Sequence, residues 1–302
     1  MNKKNTNRLL LSVLLLLSGV SVFGQDNQNL EVNFEAVFGD QLFKCGEIYK
    51  GIGTTNSEMS VTDLRLFIQD VRLTNENGEE VSFNFVSDGK FQSEKVAMLD
   101  FENGKDGCDG GTSDLNTSIS GMIPKGKYKG LKFKIGVPEE LNHLDPTFQP
   151  APLNISKMMW SWQLGYKFLR IDTKTIGMPG GYVLHLGSTE CKTDAVTNRA
   201  ECKNANRPEF VLENFDPAKE VVKIDLKALF ANANVDSNQD KTALGCMSFE
   251  VDRDCDTVFK NLGLAFRGNA AGRQNVVRSG KPLANTTGQK NSNNDEVKTR
   301  AK

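Results

Sequence analysis

Short segments in which apolar and polar residues alternate, each ended by a turn, occupy most of this 302-residue chain and leave little room for helix. They cover residues 30–38, 64–73, 81–85, 95–101, 128–137, 158–171, 182–186, 209–215 and 221–226, and are rich in Val, Ile, Phe and Leu. Side chains of a strand point alternately to its two faces, so a period of two marks a half-buried strand. Between the segments lie Glu76-Asn77-Gly78, Ser87-Asp88-Gly89, Pro124-Lys125-Gly126 and the glycine-rich stretch 177–181, residue types that accept turn geometry. The pattern predicts an all-β fold, a two-sheet antiparallel β-sandwich with long disulfide-stapled loops. Helix is expected only as short pieces at 227–233 and 256–262.

Lys3, Lys4 and Arg8 precede an apolar block at 9–17 and a small-residue site at Val22-Phe23-Gly24, the layout of a secretory leader over residues 1–24. The block is shorter than the roughly 20 apolar residues a spanning helix needs, so export and a periplasmic or secreted location are expected. From Gly268 onward the chain has no aromatic residue and is mostly Asn, Gly, Lys, Arg, Ser and Thr. Such a composition buries too little apolar surface to offset the entropy of ordering, so 268–302 reads as a disordered polar tail. About 240 residues remain, 25–267, a length that one sandwich domain occupies.

An even count of six cysteines in an exported chain favours disulfides. Six allow fifteen connectivities. Nearness in sequence favours Cys191 with Cys202 and Cys246 with Cys255, leaving Cys45 and Cys108 for each other. Zinc competes, but no spacing gives paired C-x-x-C ligands. With 37 basic and 38 acidic residues, the charge gives no case for nucleic acid or an anionic membrane surface.

The rare residues gather in one region. Both tryptophans, Trp160 and Trp162, lie between the only two histidines, His143 and His185. Read as one strand, 158–171 places Met158, Trp160, Trp162, Leu164, Tyr166 and Phe168 on one face. Imidazole suits copper, and Cu(I) tolerates few ligands, so two histidines brought close could hold it with one weak further donor. The plainer reading makes each histidine a satisfied core or surface residue and the indoles ordinary core. Met158, Met159 and Met178 are possible thioether ligands but more often core filler. Asp236-Ser237-Asn238-Gln239-Asp240 starts like a calcium loop yet lacks its glycine at position six and glutamate at twelve, so a solvated loop is expected. No nucleophile elbow or H-E-x-x-H is present, and two histidines offer little general-base choice, so the chain is read as no enzyme. Gly51-Ile52-Gly53 lacks the third glycine of a dinucleotide loop and reads as a turn.

Several motifs taken together carry a resemblance. Asn142-His143-Leu144-Asp145-Pro146, Gln149-Pro150-Ala151-Pro152-Leu153-Asn154, Met159-Trp160-Ser161-Trp162-Gln163 and Gly165-Tyr166-Lys167-Phe168-Leu169 come first. His185-Leu186-Gly187-Ser188-Thr189 ahead of Cys191, and Gly245-Cys246-Met247-Ser248 with Cys255, complete the series. In order and spacing, from about Phe34 to Leu264, these are similar to the MbnP family, also called metallo-mystery pair four-Cys motif proteins. The resemblance implies a periplasmic copper-binding protein of mainly β structure. It also implies a dihaem cytochrome c peroxidase-like partner of the MbnH type, which oxidises a tryptophan to kynurenine close to histidine-bound copper. Carried over by position, His143 and His185 become the copper ligands and Trp160 and Trp162 the candidates for modification, with Trp160 favoured. Cys45 and Cys108 go beyond the family's four-cysteine motif. The rival expectation is an exported adhesion or interaction module without metal.

Overall fold

The computed structural model describes residues 26–108, 110–194 and 200–283, and the leader expected over 1–24 lies outside them. One sheet contains β1 (Asn27–Phe38), β2 (Gln41–Leu42), β6 (Asn84–Phe85), β8 (Ser118–Pro124), β17 (Val221–Asp225) and β18 (Val277–Gly280), ordered β18-β17-β1-β8-β6 with β2 beside β1. A second has the order β13 (Tyr182–Leu186), β12 (Leu169–Thr175), β4 (Ser57–Asn75), β9 (Tyr128–Ile135), β16 (Glu209–Leu212). Strands β3 (Tyr49–Ile52), β5 (Glu80–Ser82) and β7 (Val96–Asp100) also pair with β4. Among the described residues α-helix is confined to α1 (Glu139–Asn142), α2 (Leu226–Leu229) and α3 (Cys255–Asn261), with single 3-10 turns at Pro146–Phe148 and Ser156–Met158, so the all-β expectation holds. Among the described residues no helix is long and apolar enough to cross a membrane.

Alternation explains the core. Along β1 the buried side chains Val32, Phe34 and Ala36 recur every second residue, and Phe34 meets Phe133 of β9 edge-on at 5.7 Å between ring centroids, joining the two sheets. Each such buried aromatic contributes roughly 1.5–3 kcal/mol of apolar burial. The long β4 loses the alternation over residues 64–69 because it is covered on both faces and paired along both edges. Its register shifts between Gln69 and Arg72, where Asp70 takes a positive φ of 49°. An aspartate tolerates that geometry better than a branched residue, and the bulge bends the strand.

Three expectations change. The sandwich is not wholly antiparallel, because β1 and β17 pair in parallel through Phe34↔Val222 to Val37↔Asp225. The tail does not begin at Gly268: Val276 and Val277 are buried and β18 pairs with β17, so the polar composition conceals a short edge strand. Residues 284–302 lie outside the described part.

The third change matters for the site. Residues 158–171 are not one strand but the hairpin β10 (Met159–Ser161) and β11 (Gly165–Tyr166), followed by β12. Ser161 Oγ accepts the Leu164 N–H at 3.2 Å across the turn, and Gly165 follows at φ 78°, a left-handed value that glycine adopts freely. The indoles therefore do not share a face. Trp160 is half-buried, whereas Trp162 at the hairpin tip is 54 % exposed.

All three expected disulfides are present: Cys45–Cys108, Cys191–Cys202 and Cys246–Cys255. The second closes the hairpin of β14 (Thr189–Thr193) and β15 (Ala200–Asn204), in which the two cysteines are directly opposed. This hairpin follows β13 and carries the bridge to the loop of His143.

Candidate metal centre

His143 is the C-cap of α1. The helix is anchored by buried Asn142, whose Oδ1 accepts the Tyr166 N–H at 3.0 Å and whose amide lies where a Cβ on Gly165 would stand. His143 Nδ1 lies 3.0 Å from the carbonyl oxygen of Trp162. A carbonyl only accepts, so Nδ1 carries the proton and Nε2 presents a lone pair. That Nε2 takes a hydrogen bond from Asn142 Nδ2 at 3.1 Å and lies 3.3 Å from Cys202 Sγ.

Among the described residues His143, Cys191 and Cys202 form a cluster of metal-ligating types within 4.8 Å. Joined as a disulfide, the two sulfurs are not thiolates, and the thiolate is the form that ligates metal. The imidazole is the usable donor there.

His185 is held by the sheet. Its N–H donates to the Cys246 carbonyl at 2.9 Å, and its own carbonyl accepts Ser248 Oγ at 2.8 Å. Nε2 lies 2.7 Å from Asp172 Oδ1, and Nδ1 is buried with no hydrogen-bond partner. Burial pushes the imidazole below the ordinary histidine value, against the pull of Asp172, so the ring is neutral at pH 7. Burial alone would raise Asp172, but hydrogen bonds from His185 and Arg170 hold it at about 2. The proton thus sits on Nε2, leaving a bare lone pair on Nδ1. An unsatisfied buried acceptor costs about 1–3 kcal/mol.

His143 and the chain just past β13 border the β10–β11 hairpin. His143 binds the backbone at its tip, and Trp160 packs so closely on Gly187, two residues beyond His185, that a Cβ there would lie 2.5 Å from the indole. Phe249 stands over Trp160 with ring centroids 6.2 Å apart. Met158 is fully buried in the apolar core, and Met159 and Met178 pack against it. Asp236 is spent on structure: Oδ2 accepts Thr55 Oγ1, and Oδ1 accepts Ser57 Oγ at 2.8 Å and the Gly177 N–H at 2.9 Å.

Sequence reading missed the ionic ribbon beneath His185. Cross-strand register places Arg170 opposite His185 and Arg65, Asp63 opposite Asp172, and Asp100 opposite Arg65. Arg65, 2 % exposed, binds both carboxylate oxygens of Asp63, and Arg170 bridges Asp63 and Asp172. The available signal was the spacing in Asp63-Leu64-Arg65 and Arg170-Ile171-Asp172, which sets two charges on one face of an apolar strand.

At the far end burial, with the charges of Glu102 and Asp63, raises Asp100 to about 7, although Arg65 opposes the shift. An aspartate of the unfolded chain titrates near 3.8, so between those values the folded state holds a proton that the unfolded state has released. Stability contributed by Asp100 is therefore present at low pH and lost as pH rises from about 4 to 7. In Asp100→Asn, thermal melts at pH 5 and pH 8 should differ less than those of the unsubstituted protein. Asp252, raised to about 6 mainly by burial, leaves a residual slope of the same sign. Equal slopes in the two proteins would refute the assignment.

The MbnP family model matches residues 27–248. Among solved structures the chain is similar to MbnP from Methylosinus trichosporium, with 28 % sequence identity and a TM-score of 0.76 over 85 % of this chain and 99 % of that one. No curated protein matches. A family match that runs from the first strand to Ser248 beside His185, together with the shared architecture, places this chain in the MbnP family.

Proposed function

We propose that this protein is an exported copper-binding protein, periplasmic after loss of its leader near Gly24, that takes Cu(I) through His143 and His185. In this reading Trp160 is the residue that a dihaem cytochrome c peroxidase-like partner of the MbnH type converts to kynurenine. The protein serves copper acquisition or handling and is a substrate of that partner, turning over no substrate itself.

The observation that carries the reading is the donor state of His185: a neutral imidazole, one nitrogen tied to a carboxylate and the other buried and unpartnered. A metal-binding histidine is built this way, with an outer carboxylate fixing the ring and the free nitrogen left for the ion. His143 differs in one respect: its proton is committed to the Trp162 carbonyl, and its Nε2, which takes a hydrogen bond from Asn142 Nδ2, would exchange that donor for the ion. Two imidazole nitrogens suit a soft ion of low coordination number. Trp160 is favoured over Trp162 because it packs beside the strand that carries His185, while Trp162 projects outward. Opening its indole leaves an aryl ketone and an aromatic amine, an added donor set next to a soft metal.

Protein produced together with its partner should retain one Cu(I) per chain against a chromophoric chelator under anaerobic conditions. The peptide containing Trp160 should gain about 4 Da, from one oxygen added and one carbon lost. Trp160→Phe should abolish that gain and Trp162→Phe should preserve it. Copper lost entirely to the chelator would defeat the binding assignment, and a gain mapped to Trp162 would defeat the choice of indole.

A further inference from the structure

We infer that Asp172, backed by Arg170, is the positioning residue that makes His185 a ligand through Nδ1, an inference that rests on the proposed role of His185 in holding copper. The geometry is that of the strand pair. Arg170 faces His185 across β12 and β13, and Asp172, two residues on, projects from the same face of β12. From there Asp172 Oδ1 reaches His185 Nε2 at 2.7 Å. An ionised carboxylate can only accept, so this contact admits one neutral tautomer, with the proton on Nε2.

The carboxylate is not free to turn away. Its Oδ2 accepts Arg170 Nε at 3.0 Å and Nη2 at 2.5 Å. Arg170 Nε is also 3.3 Å from Asp63 Oδ2, and Asp63 is gripped in turn by Arg65. Arg170, Asp63 and Arg65, on two adjacent strands, thus hold through Oδ2 the carboxylate whose Oδ1 sets the imidazole. The guanidinium fork gives the clamp its direction, because a planar donor pair fixes an acceptor's angle as well as its distance.

A purely structural role for the Asp172–His185 pair does not account for the other ring nitrogen. Most buried side-chain polar atoms have a hydrogen-bond partner, and His185 Nδ1 is among the few here that have none, while Nε2 is tied down. The arrangement leaves one lone pair presented at a fixed angle, which is what a ligand requires of its surroundings.

The test is Asp172→Asn in the full mature protein, with Asp172→Glu and His185→Ala beside it. Asparagine keeps the shape but can donate as well as accept, so the tautomer is no longer imposed. Long-range 1H–15N spectra of metal-free, histidine-labelled protein should show a single Nε2–H form of His185 in the unsubstituted chain. In Asp172→Asn an Nδ1–H population should appear. Cu(I) affinity should fall about 10- to 100-fold, the usual effect of losing an outer-shell partner, and Asp172→Glu should recover part of it. An unchanged tautomer and affinity in Asp172→Asn, with copper lost in His185→Ala, would overturn the inference while the ligand assignment stands. Undiminished copper in His185→Ala would remove the ligand assignment and this inference together.

Discussion

A His143→Ala/His185→Ala double variant is expected to return from Cu(I) loading with copper at background while keeping its fold. Removing a ligand should cost more than the roughly 10- to 100-fold that follows loss of an outer-shell partner, and losing both leaves no imidazole anywhere in the chain. The fold survives for reasons specific to each site. His143 is half-exposed, and its loss frees the Trp162 carbonyl at a hairpin tip, where water can replace it, and Asn142 Nδ2, while Asn142 keeps its Oδ1 anchor on the Tyr166 N–H. His185→Ala removes one hydrogen bond from Asp172, but that carboxylate keeps the two from Arg170. Metal analysis after gel filtration, with far-ultraviolet circular dichroism as the control for folding, reads both halves of the expectation. Copper retained at one equivalent by a folded double variant would leave the domain without its metal assignment.

The second large effect concerns stability. Arg65→Met should lower unfolding free energy by about 3–5 kcal/mol, because it strips the two-pronged cation from a buried pair and leaves Asp63 with only its single contact to Arg170. Asp63 is 1 % exposed, and Asp100 and Glu102 are similarly enclosed, so no solvent is at hand to replace the guanidinium. At about 2–4 °C per kcal/mol for a domain of this size, the melting temperature should drop by roughly 6–20 °C. Lysine in place of Arg65 should recover little, since one ammonium cannot span both oxygens of Asp63 as Nε and Nη2 do. A melting temperature within about 2 °C of the unsubstituted protein would show that the ribbon contributes no such stability. The same variant bears on the site, for Asp63 also steadies Arg170 beneath His185.

Much of the frame was legible in the residues themselves. Segment 182–186 reads as a strand and is β13 to the residue, and glycine turns separate strands, as with Gly53 at positive φ between β3 and β4. Cysteines near in sequence pair as nearness suggested, because closing a short loop costs little entropy. The motifs around His143, Trp160 and His185 were equally legible as a set, and the family match covers all three.

What failed depended on distant partners. Residues 158–171 alternate well enough for one long strand, yet Asn142 packs on Gly165 and the chain reverses there, so Trp160 and Trp162 part company. The edge strand β18 is polar because one neighbour, β17, suffices to hold it, and no local pattern marks such a strand. Asp172 was an unremarked charge in an apolar segment.

Periodicity and turn chemistry act within a few residues, so sequence alone determined that this protein is a disulfide-stapled all-β domain with its rare donors grouped in one region. The tautomer of His185, the bare lone pair on Nδ1 and the separate environments of the two indoles were decided only by tertiary structure. Each depends on cross-strand register, and register is set by the packing of whole sheets against one another.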